Sequence, residues 1–233
     1  MEFGQIVAPT IKELFVERVE GMIFSGALAP GDRIPSERDL AEQMKISKTI
    51  VHLGLEDLER MGFIRVAPRK GSFVADFAET GNLETLNAIL RYNGGKLDRQ
   101  MIVSIVELRD AVEGGALRRL SRSHTEEDME ELRTMMDEFA EAAKLSPDVP
   151  TVSAALARFH YKICTLSGNR LFPLIMNAFQ GVGSVLWEAS VKFWGEKALL
   201  EQGNRIIGLI SDARGDEAAT YLTNLFSHYL ENT

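Results

Sequence analysis

Residues 35–51 read PSERDLAEQMKISKTIV, and this stretch decides the fold of the amino-terminal part of the chain. Ser36 stands where a helix N-cap belongs, with Asp39 three residues later as its capping-box partner, so a short helix is predicted directly after it. Ser47 is a second N-cap candidate, and apolar residues at helical spacing follow it until Gly62. We therefore expect two short helices separated by a tight turn.

The flanking sequence completes a small domain. Apolar residues recur at helical spacing from Thr10 to Phe24. After Gly62 the period changes to that of two brief strands, FIRV and SFVA, which are joined by the basic tip APRKG and form a hairpin, or wing. The predicted helices and strands cover residues 10–24, 37–44, 48–61, 63–66 and 72–75. This order of elements predicts a winged helix-turn-helix.

The second of the two short helices carries the residues that would meet DNA. In a helix-turn-helix this helix lies in the major groove, and its amino-terminal residues contact base edges and phosphates. Lys48 can contact a phosphate or guanine, and an arginine near the start of the preceding helix can clamp backbone or a base. The candidates on the two helices are Arg38, Ser47, Lys48, Thr49 and His52.

The hairpin tip adds the cations Arg69 and Lys70 beside Gly71, a residue small enough for close approach, and this combination suits insertion into a minor groove. The net charge of −8 argues against nucleic acid as a partner of the whole surface. Residues 33–75, however, hold eight Lys or Arg against six Asp or Glu, so binding would be local and dimer-assisted. From these residues alone a second interpretation stays open, because amphipathic helix pairs mimic this motif and tip cations are often only solvated.

The stretch from residue 10 to residue 75 resembles the GntR family of bacterial transcription regulators. The resemblance rests on PSERDLA at 35–41, ISKTIV at 46–51, GFI at 62–64 and GSFV at 71–74, in this order and spacing. It implies binding to a double-stranded DNA operator. Lys48 and His52 stand where the family usually has arginine, and neither offers arginine's bidentate fork. Sequence preference is expected to differ for this reason. Affinity is expected to depend on pH if His52 touches phosphate.

Beyond a predicted linker at 76–82, no strand pattern is found. Helices are predicted over 83–92, 97–122, 126–144, 152–166, 170–193, 196–214 and 216–230, with breaks at Asn93-Gly94-Gly95, Ser146-Pro147 and Arg214-Gly215-Asp216. We expect a mostly α fold with a winged helix-turn-helix over 1–78 and an all-helical bundle over 79–233. The single cysteine, Cys164, lies in an apolar setting that suits a buried side chain.

The carboxy-terminal bundle resembles the FadR-type effector domain, also called the FCD domain, which dimerises and binds a small organic acid or acyl compound. The matching residues are Glu107, Arg109, Glu113, Arg158-Phe159-His160, Ser167-Gly168-Asn169, Gly215-Asp216, Ala218, Ala219 and His228. The effector-binding candidates that follow from the resemblance are Arg109, His160 and His228.

Many members of that subfamily hold a divalent metal, and the resemblance would assign His160 and His228 to it. Leu156 stands at the position of an aspartate ligand one turn before His160, and Gly203 or its neighbour Asn204 stands at that of another histidine. Leucine and glycine side chains donate no electron pair. We therefore expect no metal cofactor; a divalent metal, if present, would be held by the two remaining histidines.

Without a metal, an anionic effector needs another counter-charge inside the bundle. Arg109 is the first candidate, because a guanidinium grips a carboxylate at two points. The alternative role of Arg109 is an intrahelical ion pair with Glu113, four residues later. Trp187 and Trp194 are candidates either for the wall of an apolar pocket or for plain core.

We expect a transcription regulator whose operator affinity is modulated by a small organic-acid or acyl effector. It should act as a homodimer, because one recognition helix reads only a few base pairs. Two alternatives remain, a metal-dependent enzyme and an effector-independent DNA-binding dimer, although no phosphate loop, His-Glu-x-x-His or nucleophile motif supports catalysis. With neither a membrane-spanning apolar run nor a secretory signal, the expected location is the cytoplasm and no membrane partner is expected.

Overall fold

The computed structural model describes residues 8–93, 97–146 and 148–233, apart from the side chain of Val182. The chain forms two compact units, Met1–Gly95 and Lys96–Thr233. Within the described ranges, no helix is both long enough and apolar enough to cross a membrane.

The first unit is a winged helix-turn-helix, which confirms the predicted fold. Its elements are α1 (Ile11–Phe24), α2 (Glu37–Met44), α3 (Lys48–Arg60), β1 (Ile64–Ala67), β2 (Gly71–Val74), α4 (Phe77–Thr80) and α5 (Leu83–Tyr92). The predicted bounds of the first three helices and the two strands agree with these to within one residue.

Serine side chains fix the starts of α2 and α3. Ser36 Oγ accepts a hydrogen bond from the backbone N–H of Asp39 at 3.3 Å, and Ser47 Oγ accepts one from Ile50 at 3.2 Å. The capping box at Ser36 differs from the expected one, because the Asp39 carboxylate accepts from the serine hydroxyl, at 2.7 Å, rather than from the backbone. Lys45 ends α2 in the left-handed conformation, with φ 55°, so the chain turns sharply into α3.

The wing is an antiparallel hairpin in which Ile64 lies opposite Val74. The extended segment before α2 runs along its other edge, where the backbone N–H of Ile34 donates to the Ser72 carbonyl at 2.9 Å. The hairpin is thereby tied to the start of the helix-turn-helix.

Helices α1 and α3 approach each other closely at Gly54. A Cβ at this position would lie 2.3 Å from Phe15 Cδ1, so glycine makes room for the aromatic ring. Phe15 packs in one buried cluster with Val51, Leu58 and Phe63. This shared core holds α3 in a fixed orientation.

The segment predicted as a linker, residues 76–82, contains α4 and is tied to the end of α3. The Thr80 hydroxyl donates to the Gly62 carbonyl at 2.8 Å, and Asn82 Nδ2 donates to the Arg60 carbonyl at 2.8 Å. Turn-forming residues therefore have a structural role here that composition does not reveal.

Helix α5 packs against α1, and the first compact unit consequently extends to Gly95. The sequence places the domain boundary at 78/79 instead, because the apolar face of α5 looks like any other bundle helix. The functional division at 78/79 stays a prediction.

The second unit is all-helical, as predicted. Its helices are α6 (Arg99–Ser123), α7 (Glu126–Leu145), α8 (Val149–Leu166), α9 (Leu171–Ala178), α10 (Gln180–Trp194), α11 (Glu196–Ser211) and α12 (Gly215–Asn232). The predicted breaks at Gly94-Gly95 and Pro147 lie outside the described residues.

The prediction of a single helix over 170–193 is wrong, because the structure has two helices there. Helix α9 ends at Ala178 and α10 begins at Gln180, with Phe179 between them at φ −90° and ψ 8°. The Phe179 side chain lines a cavity that forms only through tertiary packing, which local periodicity does not encode.

Helices α6 and α12 pack side by side along the bundle. A Cβ on Gly215 would lie 2.0 Å from Ser121 Oγ, so the start of α12 approaches α6 as closely as backbones allow. The main core surrounds Phe139 and Phe159, both fully buried, and Cys164 is buried in it as expected.

Candidate functional sites

The amino-terminal end of α3 carries the residues that the sequence assigns to DNA. Ser47, Lys48, Thr49 and His52 are all exposed there. Arg38 extends from α2 with 86% of its side chain exposed, and the Asp39 carboxylate lies 4.0 Å from its Nε. The helix-turn-helix therefore places the DNA-binding candidates of α2 and α3 at, or next to, the exposed amino-terminal end of α3.

A carboxylate that the sequence did not single out, Glu37, lies between two of these candidates. Its Oε1 is 2.8 Å from His52 Nδ1, and its Oε2 is 3.6 Å from Lys48 Nζ. Glu56, one turn further along α3, approaches His52 Nε2 at 3.4 Å. Glu37 precedes His52 by 15 residues, so only the folded motif brings them together and no local spacing signals the contact.

These carboxylates change the charge state of His52. The hydrogen bond to Glu37 and the charge of Glu56 raise the pKa of His52 above its ordinary value. The imidazole consequently stays cationic to higher pH than an isolated histidine. The side chains of these ion pairs are between 32% and 69% exposed, so dissolved salt screens their attraction. A DNA phosphate can therefore replace a carboxylate as the partner of Lys48 or His52.

The wing tip presents Arg69 and Lys70 in the exposed turn between β1 and β2, and Gly71 at the start of β2, with Arg69 at φ 64° and Gly71 at φ 106°. Two further cations flank it. A Cβ on Gly71 would lie 3.4 Å from Arg33 Nε, and Arg65 lies over an aromatic ring of β2. Arg33 and Arg65 extend the positive surface of the wing beyond the predicted residues.

A buried charged network occupies the middle of the second unit. Arg109 Nε donates to Glu113 Oε1 at 2.7 Å, and His160 Nδ1 lies 2.6 Å from Glu113 Oε2. The side chain of Arg109 is 8% exposed, that of Glu113 2% and that of His160 11%. Arg109 and His160, two predicted effector residues, are thus brought together by Glu113.

Glu113 is ionised in this network. Burial by itself raises the pKa of its carboxyl, but the charges of Arg109 and His160 and the hydrogen bonds from both lower it, from an ordinary 4.5 to about 2. The intrahelical pair that the sequence left as an alternative for Arg109 is therefore present.

The ion pair with Glu113 occupies only one nitrogen of the Arg109 guanidinium, Nε. The guanidinium stacks on Trp187, 3.6 Å from the ring centroid, and lies 4.9 Å from the centroid of Phe226. Its Nη2 is buried and has no hydrogen-bond partner among the described residues. A buried N–H without an acceptor costs free energy unless a ligand or water supplies one.

Two cavities meet at Arg109 and Trp187, which line both of them. The outer cavity, of about 690 Å³, lies among α6, α8, α9 and α10. The inner cavity, of about 40 Å³, lies among α6, α8, α10, α11 and α12 and has Leu156 and His160 in its wall. The inner one has room for only a few water molecules.

The residues present do not fit a metal. Within the described part of the chain, no three His, Cys, Asp or Glu side chains cluster closely enough to hold an ion. His228 is exposed, packs against Trp194 at 5.2 Å between ring centroids, and is absent from the described walls of both cavities. A Cβ on Gly203 would lie 2.6 Å from the end of Met136, so a ligand side chain there would first have to displace it. Of the predicted effector residues, His228 is the one that the structure places elsewhere.

Two family models match the chain. The model described as bacterial regulatory proteins of the gntR family matches residues 12–74, and the model described as the FCD domain matches residues 104–228. The second match covers more than half of the chain.

Curated relatives are similar over much of the chain. The HTH-type transcriptional regulator LutR of Bacillus subtilis is 24% identical over 88% of this chain and 94% of its own length. A fatty acid metabolism regulator protein of Erwinia tasmaniensis is 26% identical over 69% of this chain and 64% of its own length, so this match spans slightly less than two-thirds of that relative.

Among solved structures, one similar chain is Lar, which controls the expression of the Listeria monocytogenes agr system and mediates virulence. It covers 97% of both chains at a TM-score of 0.61 and 16% identity. This likeness supports the fold.

Proposed function

We propose that this chain, which belongs to the GntR family of bacterial regulators and carries an FCD domain, binds a two-fold operator as a homodimer. We also propose that a carboxylate bound at Arg109 changes its operator affinity. The chain is a DNA-binding regulator with an effector domain. The homodimer, the carboxylate and the residue roles are the proposed part. We propose that it acts on DNA in the cytoplasm, and we assign it no catalytic role.

The proposed DNA contacts come from two exposed surfaces of the first unit. Arg38, Lys48 and His52 supply cations from the helix-turn-helix, and the hydroxyls of Ser47 and Thr49 can donate to phosphate. Arg69 and Lys70, beside Gly71, supply charge from the wing. One such surface is small and the chain is acidic overall, so two copies on a two-fold site give the affinity that one lacks.

The observation that carries the effector proposal is the unsatisfied Nη2 of buried Arg109. A carboxylate offers a charge-assisted acceptor to this donor, while Arg109 Nε stays bonded to Glu113. His160 holds the other oxygen of Glu113, so its role is to position Glu113 and Arg109. The proposed effector site thus needs Arg109 and His160, and needs no metal.

The experiment begins with a duplex selected from a random pool by the purified protein. Its dissociation constant is measured with and without a panel of monocarboxylates, and sedimentation gives the stoichiometry of the complex. We expect two chains per duplex and a carboxylate-dependent change of affinity that Arg109→Lys weakens while the operator affinity without carboxylate stays unchanged.

A matched pair of variants tests the DNA part. Lys48→Ala should weaken operator binding, whereas Lys144→Ala, which removes the same charge from an exposed position in the second unit, should not. Equal behaviour of the two variants, or a one-chain complex, would contradict the proposal. Elemental analysis showing about one tightly held metal per chain would contradict metal-free effector binding.

A further inference from the structure

The outer cavity has the size and lining of a site for a ligand larger than a few atoms. Its volume of about 690 Å³ lies within the range of small-molecule pockets. Its walls are largely apolar, with Ile105, Val112, Ala157 and Ile175 among them. An apolar body that displaces water from such walls gains free energy in proportion to the apolar area that is removed from water.

Arg109 gives this cavity its one buried charged donor among the described wall residues. The guanidinium also lines the inner cavity, but about 40 Å³ cannot take a carboxylate with a substantial body attached. The stacked Trp187 stands beside Arg109 at the junction of the two cavities. A ligand whose head reaches Nη2 must therefore extend its body into the outer cavity.

Helix α9 forms one wall of the outer cavity and is loosely attached to its surroundings. It contains no buried residue, and Asn169 Oδ1 accepts a hydrogen bond from the backbone N–H of its first residue, Leu171, at 2.9 Å. Its Phe172 ring rests on Gly115 of α6, where a Cβ would lie 3.0 Å from the ring. Gly168, at φ 71°, lies three residues before the helix, and Phe179 follows its last residue. Such a helix can move to admit a ligand at lower cost than the core helices.

We propose that the outer cavity, bounded by α6, α8, α9 and α10, is the effector chamber, and that it takes a monocarboxylate with an apolar body on the order of ten to twenty non-hydrogen atoms. The carboxylate binds Arg109 beside Trp187, and the body lies against Ala157 and α9. This inference rests on the proposed effector function and adds the place, size and polarity of the ligand.

The test uses the full-length protein and defined probes. Straight-chain monocarboxylates from butanoate to dodecanoate are titrated below their micelle concentrations by calorimetry. Trp194→Phe leaves Trp187 as the only tryptophan, so its fluorescence reports binding next to Arg109. We expect the dissociation constant to fall about fourfold per added methylene until the chamber is full.

Two variants place the body of the ligand. Ala157→Phe fills the outer cavity and should weaken dodecanoate binding at least tenfold while leaving butanoate binding unchanged; Ala154→Phe, at an exposed position of the same wall, repeats the test if the first variant folds poorly. Ala140→Phe makes the same change at a half-buried position of α7 outside the described walls and should have no effect.

The possible failures are distinguishable. Arg109-dependent binding that is equally strong for all chain lengths and insensitive to Ala157→Phe would overturn the chamber and leave the proposed carboxylate effector standing. Dodecanol binding as tightly as dodecanoate would overturn the role of Arg109 in both proposals. Failure of the folded protein to bind any of these carboxylates would overturn the ligand class proposed for the chamber.

Discussion

The two units of this protein contain the same chemical arrangement in opposite environments. In each, one glutamate lies between a cation and a histidine. Glu37 lies between Lys48 and His52 with a third of its side chain exposed, and Glu113 lies between Arg109 and His160 with 2% exposed. Water decides what each arrangement can do. The exposed pairs are screened and exchange partners readily, whereas the buried ones are kept together because separating them leaves an unpaired charge in a low-dielectric core.

The largest effect is expected where the buried network is broken. Glu113→Gln keeps the shape of the side chain but leaves Arg109 without its counter-charge, and loss of one partner of a buried pair costs about 3–5 kcal/mol. Glu37→Gln, the matching change on the surface, should alter stability by no more than about 1 kcal/mol. Urea unfolding at neutral pH measures both. Similar losses for the two variants would show that burial does not separate the networks.

Acid should remove the stability difference between the parent protein and Glu113→Gln. Since the folded-state pKa of Glu113 is lowered to about 2 from 4.5, its ionised form contributes stability that is fully present above the ordinary value and is lost as pH falls through the folded one. The difference in unfolding free energy between the parent and Glu113→Gln should therefore be constant near neutrality and shrink between about pH 4.5 and 2. A difference that grows on acidification would mean that Glu113 is protonated in the folded protein.

On the exposed side, the cations should act through charge that salt can screen. Replacing Arg38, Lys48, Arg69 and Lys70 together by alanine should lower the slope of log operator affinity against log salt by about one for each lost phosphate contact. Binding isotherms at several salt concentrations give the slope. A quadruple variant that binds like the parent would contradict the assignment of both surfaces.

The smallest effect expected is a pH dependence of operator binding. His52 has a raised pKa, so its positive charge persists at low pH and is lost as pH rises through that raised value, and operator affinity should fall a few-fold there. In Glu37→Gln the fall should move to lower pH, because the first cause of the raised pKa is gone. His52→Ala should flatten the profile, and an unchanged profile in that variant would assign the pH dependence to another group.

Local sequence was a reliable guide to the elements of the first unit. Ser36 and Ser47 predicted two helix starts because a serine oxygen satisfies backbone donors within its own turn. It was a poor guide where a distant contact overrides periodicity, as at Phe179, which divides a predicted helix, and in residues 76–82, which contain α4. The proposed effector site shows the same difference between local and distant contacts. Arg109 with Glu113 was readable as a pair four residues apart on one helix, whereas the position of His228 on the surface was not.

By itself the sequence determined the winged helix-turn-helix and the all-helical second part, and it supplied the residues that we propose carry charge to DNA. Caps, periodicity and turn residues act over a few positions, so they can be read in order along the chain. Only the tertiary structure decided that Glu37 shares Lys48 and His52, that Glu113 joins Arg109 to His160, and that a large cavity lies beside a small one. These features depend on packing between elements far apart in the chain, where burial sets the strength of each charge and the space left over sets the size of a ligand.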